Sequence, residues 1–299
     1  MSSAVLDFIQ FSINGLQIGS VYALVALGYT MVYGIVKLIN FAHGDFIMVG
    51  GYMALVTIPF AISLGMPAWG CVLFTVLICA ILGMATEQVA YKPLRNSPRI
   101  SSLITAIGVS LLLQNVFMLF FSPTPKPFPA LFGGGIIKIN GVSVSVTSIS
   151  TISISVVLMI ILQLFVKKTK LGRAMRAVSE DEGAALLMGV NVNTTISLTF
   201  GIGAALAAVA SAFYCAEYPI VQPTMGSMLG LKAFVAAVFG GIGSIPGAML
   251  GGILLGLIES YTKAYISTKM ADAVVFGVLI LVLLVRPTGI FGENKGEKV

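Results

Sequence analysis

Charge is what this sequence is shortest of. Of its 299 residues only 9% are Asp, Glu, Lys or Arg, while 58% are hydrophobic. Soluble domains carry roughly 25% charged residues, so a soluble enzyme or binding module is excluded and an integral membrane protein is indicated. Histidine occurs once, as His43, and cysteine three times, as Cys71, Cys79 and Cys215. The cysteines lie inside apolar runs without C-x-x-C spacing and read as small buried hydrophobes, not as metal ligands or disulfide partners. No Gly-x-x-x-x-Gly-Lys-Ser/Thr occurs, and residues 240–247 (GGIGSIPG) imitate a phosphate loop only superficially. The chain is therefore expected to hydrolyse no ATP and to need no cofactor of its own. No spaced nucleophile and base suggests an enzyme. Eleven acidic against seventeen basic residues give a formal charge of +6. In a membrane protein such an excess reflects cytoplasmic loop placement better than nucleic-acid binding. The first residues lack the basic stretch of a cleaved signal, so the first apolar run is expected to stay on the mature protein.

Long apolar runs are plentiful. Those at 8–34, 45–64, 67–90, 100–121, 146–166 and 194–215 each suit a helix crossing the roughly 30 Å hydrocarbon core. Residues 229–262 are too long for one span and are broken by Gly240, Gly241, Gly243 and Pro246, which predicts two helical pieces. A last run covers 272–285. The fold class is thus all-α, a polytopic transmembrane bundle of eight or nine spans in one domain over 1–299. An internal echo, YALVALGYTMVYG against KAFVAAVFGGIG, reads either as a repeat of the kind transporters use or as chance similarity between Gly- and Ala-rich runs. Gly15 and Gly19 form a small-x-x-x-small pair for close helix contact, with Asn14 and Gln17 facing the bundle. Residues 122–147 are rich in Pro and Gly and lead into two alternating strands around Asn140-Gly141, a hairpin signal. Of the tail at 287–299, the final FGENKGEKV (291–299) is polar and expected to be loose.

The segment 167–193 cannot enter lipid. It carries Lys167, Lys168, Lys170, Arg173 and Arg176, then Glu180, Asp181 and Glu182, and each cation at the centre of a span costs about 2.5–3.5 kcal/mol. The basic stretches at 91–99 and 167–176 are two spans apart and share the cytoplasmic side, as does the tail. An even number of crossings must follow, which requires the broken segment to cross twice. The loop at 122–147 is then extracytoplasmic, and the N-terminus is outside unless a re-entrant element near His43 changes the count. Within the charged loop, the acids precede Ala184, Ala185, Leu186, Leu187 and Met188, and Gly189 supplies a stop, a short helix with an exposed apolar patch. Such a helix either lies on the membrane interface or docks a cytoplasmic partner.

Other polar residues in the spans admit two readings each. His43 and Asp45 suit proton relay, but more simply mark a helix entrance with Asn40 or Asp45 satisfying backbone N–H groups. Gln17, Gln114 and Asn115 line a pathway or merely bond between helices. Glu87 and Glu259, near helix ends, read as structural groups reaching the interface.

Ala184-Ala185 followed by Gly189, with Glu182 upstream, resembles the Glu-Ala-Ala coupling loop of ABC importer permeases, although Gly183 interrupts that pattern. Over nearly the whole length, GLQIGSVYALVALGYTMVYGIVKLINFAHGDF, YKPLRNSPR, AIGVSLLLQN and RPTGIFG are similar to the branched-chain amino acid permease family, NFAHGDF at 40–46 being the most specific piece. The resemblance implies an import subunit of the bacterial plasma membrane. Its implied partners are a second homologous permease, two cytoplasmic ATP-binding subunits and a periplasmic or lipid-anchored binding protein. It implies a coupling loop comprising Arg173, Arg176, Glu180, Asp181, Glu182, Ala184, Ala185, Leu187 and Gly189. Pathway or gating candidates are Gln17, Asn40, His43, Asp45, Gln114, Asn115, Gly240, Gly241, Gly243 and Pro246. The competing reading is a stand-alone carrier or channel for small polar solutes such as urea or amides, with His43, Asp45 and Glu259 as coupling residues.

Overall fold

The structure is a computed structural model that describes residues 3–37, 40–95, 97–131, 135–139 and 141–292. The turn residue Asn140 and the tail beyond 292 lie outside the described residues. The first apolar run forms α1, Ser3–Val36. At 1.5 Å per residue its 34 residues reach about 51 Å, longer than the hydrocarbon core, so it must tilt or protrude. A 3₁₀ turn at Phe41–His43 leads into α2, Asp45–Ser63. Helix α3, Cys71–Thr86, continues through a π turn at Glu87–Tyr91 and a 3₁₀ turn at Lys92–Leu94, and α4 covers Arg99–Phe121. Next come β1, Lys126–Pro127, and the expected hairpin of β2, Ile136–Ile139, and β3, Val142–Ser145, antiparallel with Ile139 opposite Val142.

Helix α5, Val146–Lys168, delivers the chain to α6, Lys170–Glu180, and α7, Glu182–Leu187. Helix α8, Val192–Glu217, returns it. The Gly/Pro-broken segment is indeed two pieces, α9, Met225–Gly240, and α10, Ile245–Tyr265; α11, Ala271–Val285, is the last helix among the described residues. Eight helices are long and apolar enough to cross a membrane, and α9 is a shorter apolar helix. This is the all-α polytopic bundle the sequence predicts.

Helices α1 and α8 form the enclosed centre, whereas α4 and α11 present most of their surface outward. Small residues allow that centre to close. A Cβ on Gly256 of α10 would stand 2.3 Å from the backbone of Gly19 on α1, and one on Gly252 would stand 2.4 Å from the backbone of Ala23. The Gly/Ala seam thus replaces side-chain interdigitation with backbone contact, the packing that lipid-exposed helices rely on.

Three features depart from the sequence reading. Lys167 and Lys168 belong to the last turn of α5, not to the loop, and Lys170–Glu180 is helical throughout. A further two-residue pairing, unforeseen, joins β4, Ile220–Val221, to β1. The stretch expected to be loose is held at its start: the Ile290 and Phe291 N–H groups donate to the carbonyls of Phe239 and Gly240, both at 3.0 Å. Those bonds satisfy the end of α9 where Gly240 and Gly241 break it.

Candidate functional site

The charged segment is built as a small platform. Thr169 caps α6, its Oγ1 accepting from Gly172 N–H at 3.0 Å. A Cβ at Gly172 would lie 2.4 Å from the Val166 carbonyl, so only glycine lets α6 turn this tightly off α5. Met175 and Val178 face inward, while Arg173 and Arg176 are exposed, Arg176 donating to the Lys167 carbonyl at 3.2 Å. Asp181 then caps α7, accepting from Ala184 N–H at 2.8 Å, and Glu182 supplies the acidic first turn, the arrangement a helix N-terminus favours. Glu180 and Asp181 mark the break between the helices; Gly189, at φ +82°, ends the element in a left-handed conformation.

The two alanines part company. Ala185 is 3% exposed and packs with Val178, Val192 and Ile196, so it anchors the platform from its inner side. Ala184 is exposed, and Leu186, Leu187 and Met188 are 64%, 90% and 84% exposed. An apolar knob on a capped, anchored helix is a surface that wants a partner or the membrane interface.

The pathway candidates fall into four separate places. Gln17, 4% exposed, donates to Glu217 Oε2 at 2.6 Å and accepts from Ser148 Oγ at 2.6 Å. It lines a cavity of about 100 Å³ with Asn14, Tyr214 and Tyr218. Asn40 caps the 3₁₀ turn, its Oδ1 accepting from Ala42 N–H at 3.1 Å and Tyr91 OH at 2.6 Å. His43, 2% exposed, stands edge-on to Tyr29 with ring centroids 4.5 Å apart. Its imidazole rests in the notch left by Gly28, where a Cβ would be 2.4 Å from Nε2. The third place joins Asp45 to Gln114, whose Nε2 donates to Asp45 Oδ1 at 2.8 Å. The fourth is the α9–α10 turn: Gly241 and Gly243 have φ of +109° and +93°, Ser244 caps α10, and Pro246 sits in its first turn. Gly240 packs on Gly247, where a Cβ would meet the carbonyl oxygen at 1.9 Å. Asn115 joins none of these. It is exposed and donates to the Leu111 carbonyl of its own helix at 2.7 Å.

Two buried charge clusters were misread or missed. Glu259 does not reach the interface but is 1% exposed. It accepts from Tyr22 OH at 2.7 Å, Lys232 at 2.9 Å and Lys263 at 2.7 Å, and Lys232 also pairs with Asp272 at 2.7 Å. The cluster ties α1, α9, α10 and α11 together; Glu259 and the lone lysine inside the apolar run of α9 were its sequence signals. Glu87, fully buried in the π turn, pairs with Arg95 and accepts from Ser197. Arg95 also donates to Asn193 at 2.6 Å. These contacts join the end of α3 to the start of α8, beside the platform.

With that geometry in place, comparison with known proteins is informative. The family described as "Branched-chain amino acid transport system / permease component" matches residues 11–283. The chain is 44% identical to the "High-affinity branched-chain amino acid transport system permease protein BraD" of Pseudomonas aeruginosa, over 99% of both chains. It is equally identical to the "High-affinity branched-chain amino acid transport system permease protein LivH" of Escherichia coli strain K12, over the full length of both. An archaeal relative, the "Probable branched-chain amino acid transport permease protein LivH" of Methanocaldococcus jannaschii, is 31% identical over 91% of this chain and 88% of its own.

Proposed function

Because the chain belongs to the permease-component family of the branched-chain amino acid transport system, and is a multi-pass protein of the bacterial inner membrane, we propose that it forms half of the translocation pathway of an ATP-driven importer of branched-chain or related hydrophobic amino acids. The other half is a second homologous permease subunit. Two cytoplasmic ATP-binding subunits supply the energy, and a periplasmic or lipid-anchored binding protein delivers substrate from outside. On this reading 167–193 and the tail lie in the cytoplasm, and 122–147 lies outside. This arrangement requires the stretch 218–240, which holds the shorter apolar α9, to supply a fourth crossing beside α8, α10 and α11.

The observation that carries the reading is α7: a capped helix anchored through Ala185 that leaves Leu187 and its C-cap residue Met188 exposed. Closure of the ATP-binding subunits pushes this knob. The push passes through α6 to α5, and through Asn193, Arg95 and Glu87 to α8 and α3. Two discrete packings of the bundle, biased from outside it, then alternate access. A proton-coupled carrier using Glu259 fits less well, because both carboxylate oxygens are already held by Tyr22, Lys232 and Lys263.

Reconstitution in proteoliposomes tests this. Leucine uptake is expected only when the second permease, the ATP-binding subunits and the binding protein are present with ATP. Uptake by this chain alone, driven by a proton gradient, would overturn the reading.

A further inference from the structure

Asp45 is a buried carboxylate without a cationic partner among the described residues. It is 2% exposed, and its carboxylate accepts from the Gln114 amide and from the Ser110 side chain. Among the described residues no lysine, arginine or histidine forms an ion pair with it. An amide oxygen would accept the same two hydrogen bonds, and the N-terminus of α2 offsets only part of the cost of an ion at this depth. The depth follows from its neighbours. His43, two residues before it, lies against Gly203, eleven residues into α8 from Val192, or about 17 Å. Gln114 is fifteen residues along α4 from Arg99, or about 23 Å.

A second observation concerns what lies in front of it. Gly44 packs backbone to backbone on Gly226 and Gly230, so that α2 and α9 both begin inside the membrane, side by side. On the open side of that junction Ser227 is exposed at the level of Gln114, and exposed Thr224 and Gln222 lead from it to the β1–β4 pair. The Gln114 amide bridges Asp45 to Ser227, reaching the Ser227 hydroxyl at 3.2 Å. Met228 and Leu231, 48% and 38% exposed, continue the same face of α9. Exposed polar groups at this depth are tolerated against protein or a watery cavity, not against lipid.

We propose that Asp45, reached past Gln114 and Ser227, holds the ammonium group of the transported amino acid on an aqueous path along this face, with Met228 and Leu231 meeting its aliphatic side chain. This rests on the permease reading above. The second permease subunit closes the path from the opposite side.

The test uses Ser227→Cys in the assembled transporter in membranes, with labelling read on this chain, whose native cysteines are all buried, against the same assembly with Ser227 intact. Reaction rates with a trimethylammonium-ethyl and a sulfonatoethyl methanethiosulfonate, similar in size and opposite in charge, are compared. The cationic reagent is expected to react about tenfold faster, equivalent to about 1.4 kcal/mol. Asp45→Asn should bring the ratio near one, Asp45→Glu should keep it, and leucine should slow the cationic reaction. Equal rates in the Ser227→Cys protein, or a ratio indifferent to Asp45→Asn, would overturn the site. Absence of protection by leucine in a transporter that imports it would overturn the ammonium assignment. Failure of the permease reading would appear separately, as absent ATP-driven leucine uptake by the wild-type assembly.

Discussion

His43 fills the space that a side chain at position 28 would need. A Cβ there would sit 2.4 Å from Nε2 and 2.6 Å from Cε1, and the ring is held between Tyr29 and the Gly203 backbone. Gly28→Ala is therefore expected to destabilise the protein by about 1–3 kcal/mol, the usual cost of overpacking. Much of that loss should vanish when His43→Ala removes the ring, a non-additivity that thermal unfolding in detergent would reveal. Additive effects would mean that the ring and the glycine do not compete for one space. The sequence marked His43 as an unusual residue at a helix entrance, and that placement holds. It could not show that a glycine fifteen positions earlier makes the room, because such complementarity belongs to two helices at once. Ala185 teaches the same lesson: adjacent to Ala184 in a shared motif, it turns inward while its neighbour faces water.

At the scale of elements, α9 is the most constrained piece. Too short and too glycine-rich at its end to stand alone, it is tied by Lys232 to Glu259 on α10 and Asp272 on α11. Removing one partner of a buried ion pair strands the other and costs about 3–5 kcal/mol. Lys232→Ala should fall at the lower end of that range, since Lys263 still serves Glu259. Lys263, 38% exposed at its side chain, should cost no more than about 1 kcal/mol when replaced by alanine. Thermal midpoints of the two variants in one detergent decide the matter, and equal losses would remove the special status of α9. The breakers Gly240, Gly241, Gly243 and Pro246 made the division between α9 and α10 legible from sequence. The cover supplied by Ile290 and Phe291 was not, because it is a long-range backbone pairing with no compositional signature.

For the whole molecule, apolar run length and the parity of basic loops were enough to reach the helical bundle, since in lipid a backbone must satisfy itself within each span. The hairpin was legible for a similar reason, its turn chemistry being local. The candidate site was legible in parts. Asp45 and Gln114 were both singled out, but only the fold brings them together, and it sends Asn115 to the outer face. The amphipathic α6 was hidden by its cations, which read as a loop until Met175 and Val178 were seen to turn inward. On the proposed function, the bundle is driven through α7. The direct measurement is disulfide cross-linking from Leu187→Cys, 90% exposed at the tip of that platform, to cysteines placed on the surface of the ATP-binding subunit in the assembled importer. An efficient cross-link whose yield changes with ATP is predicted, together with loss of ATP-binding-subunit association in Leu187→Asp. A Leu187→Asp importer that keeps both its subunits and its leucine uptake, with no cross-link from position 187, would contradict it.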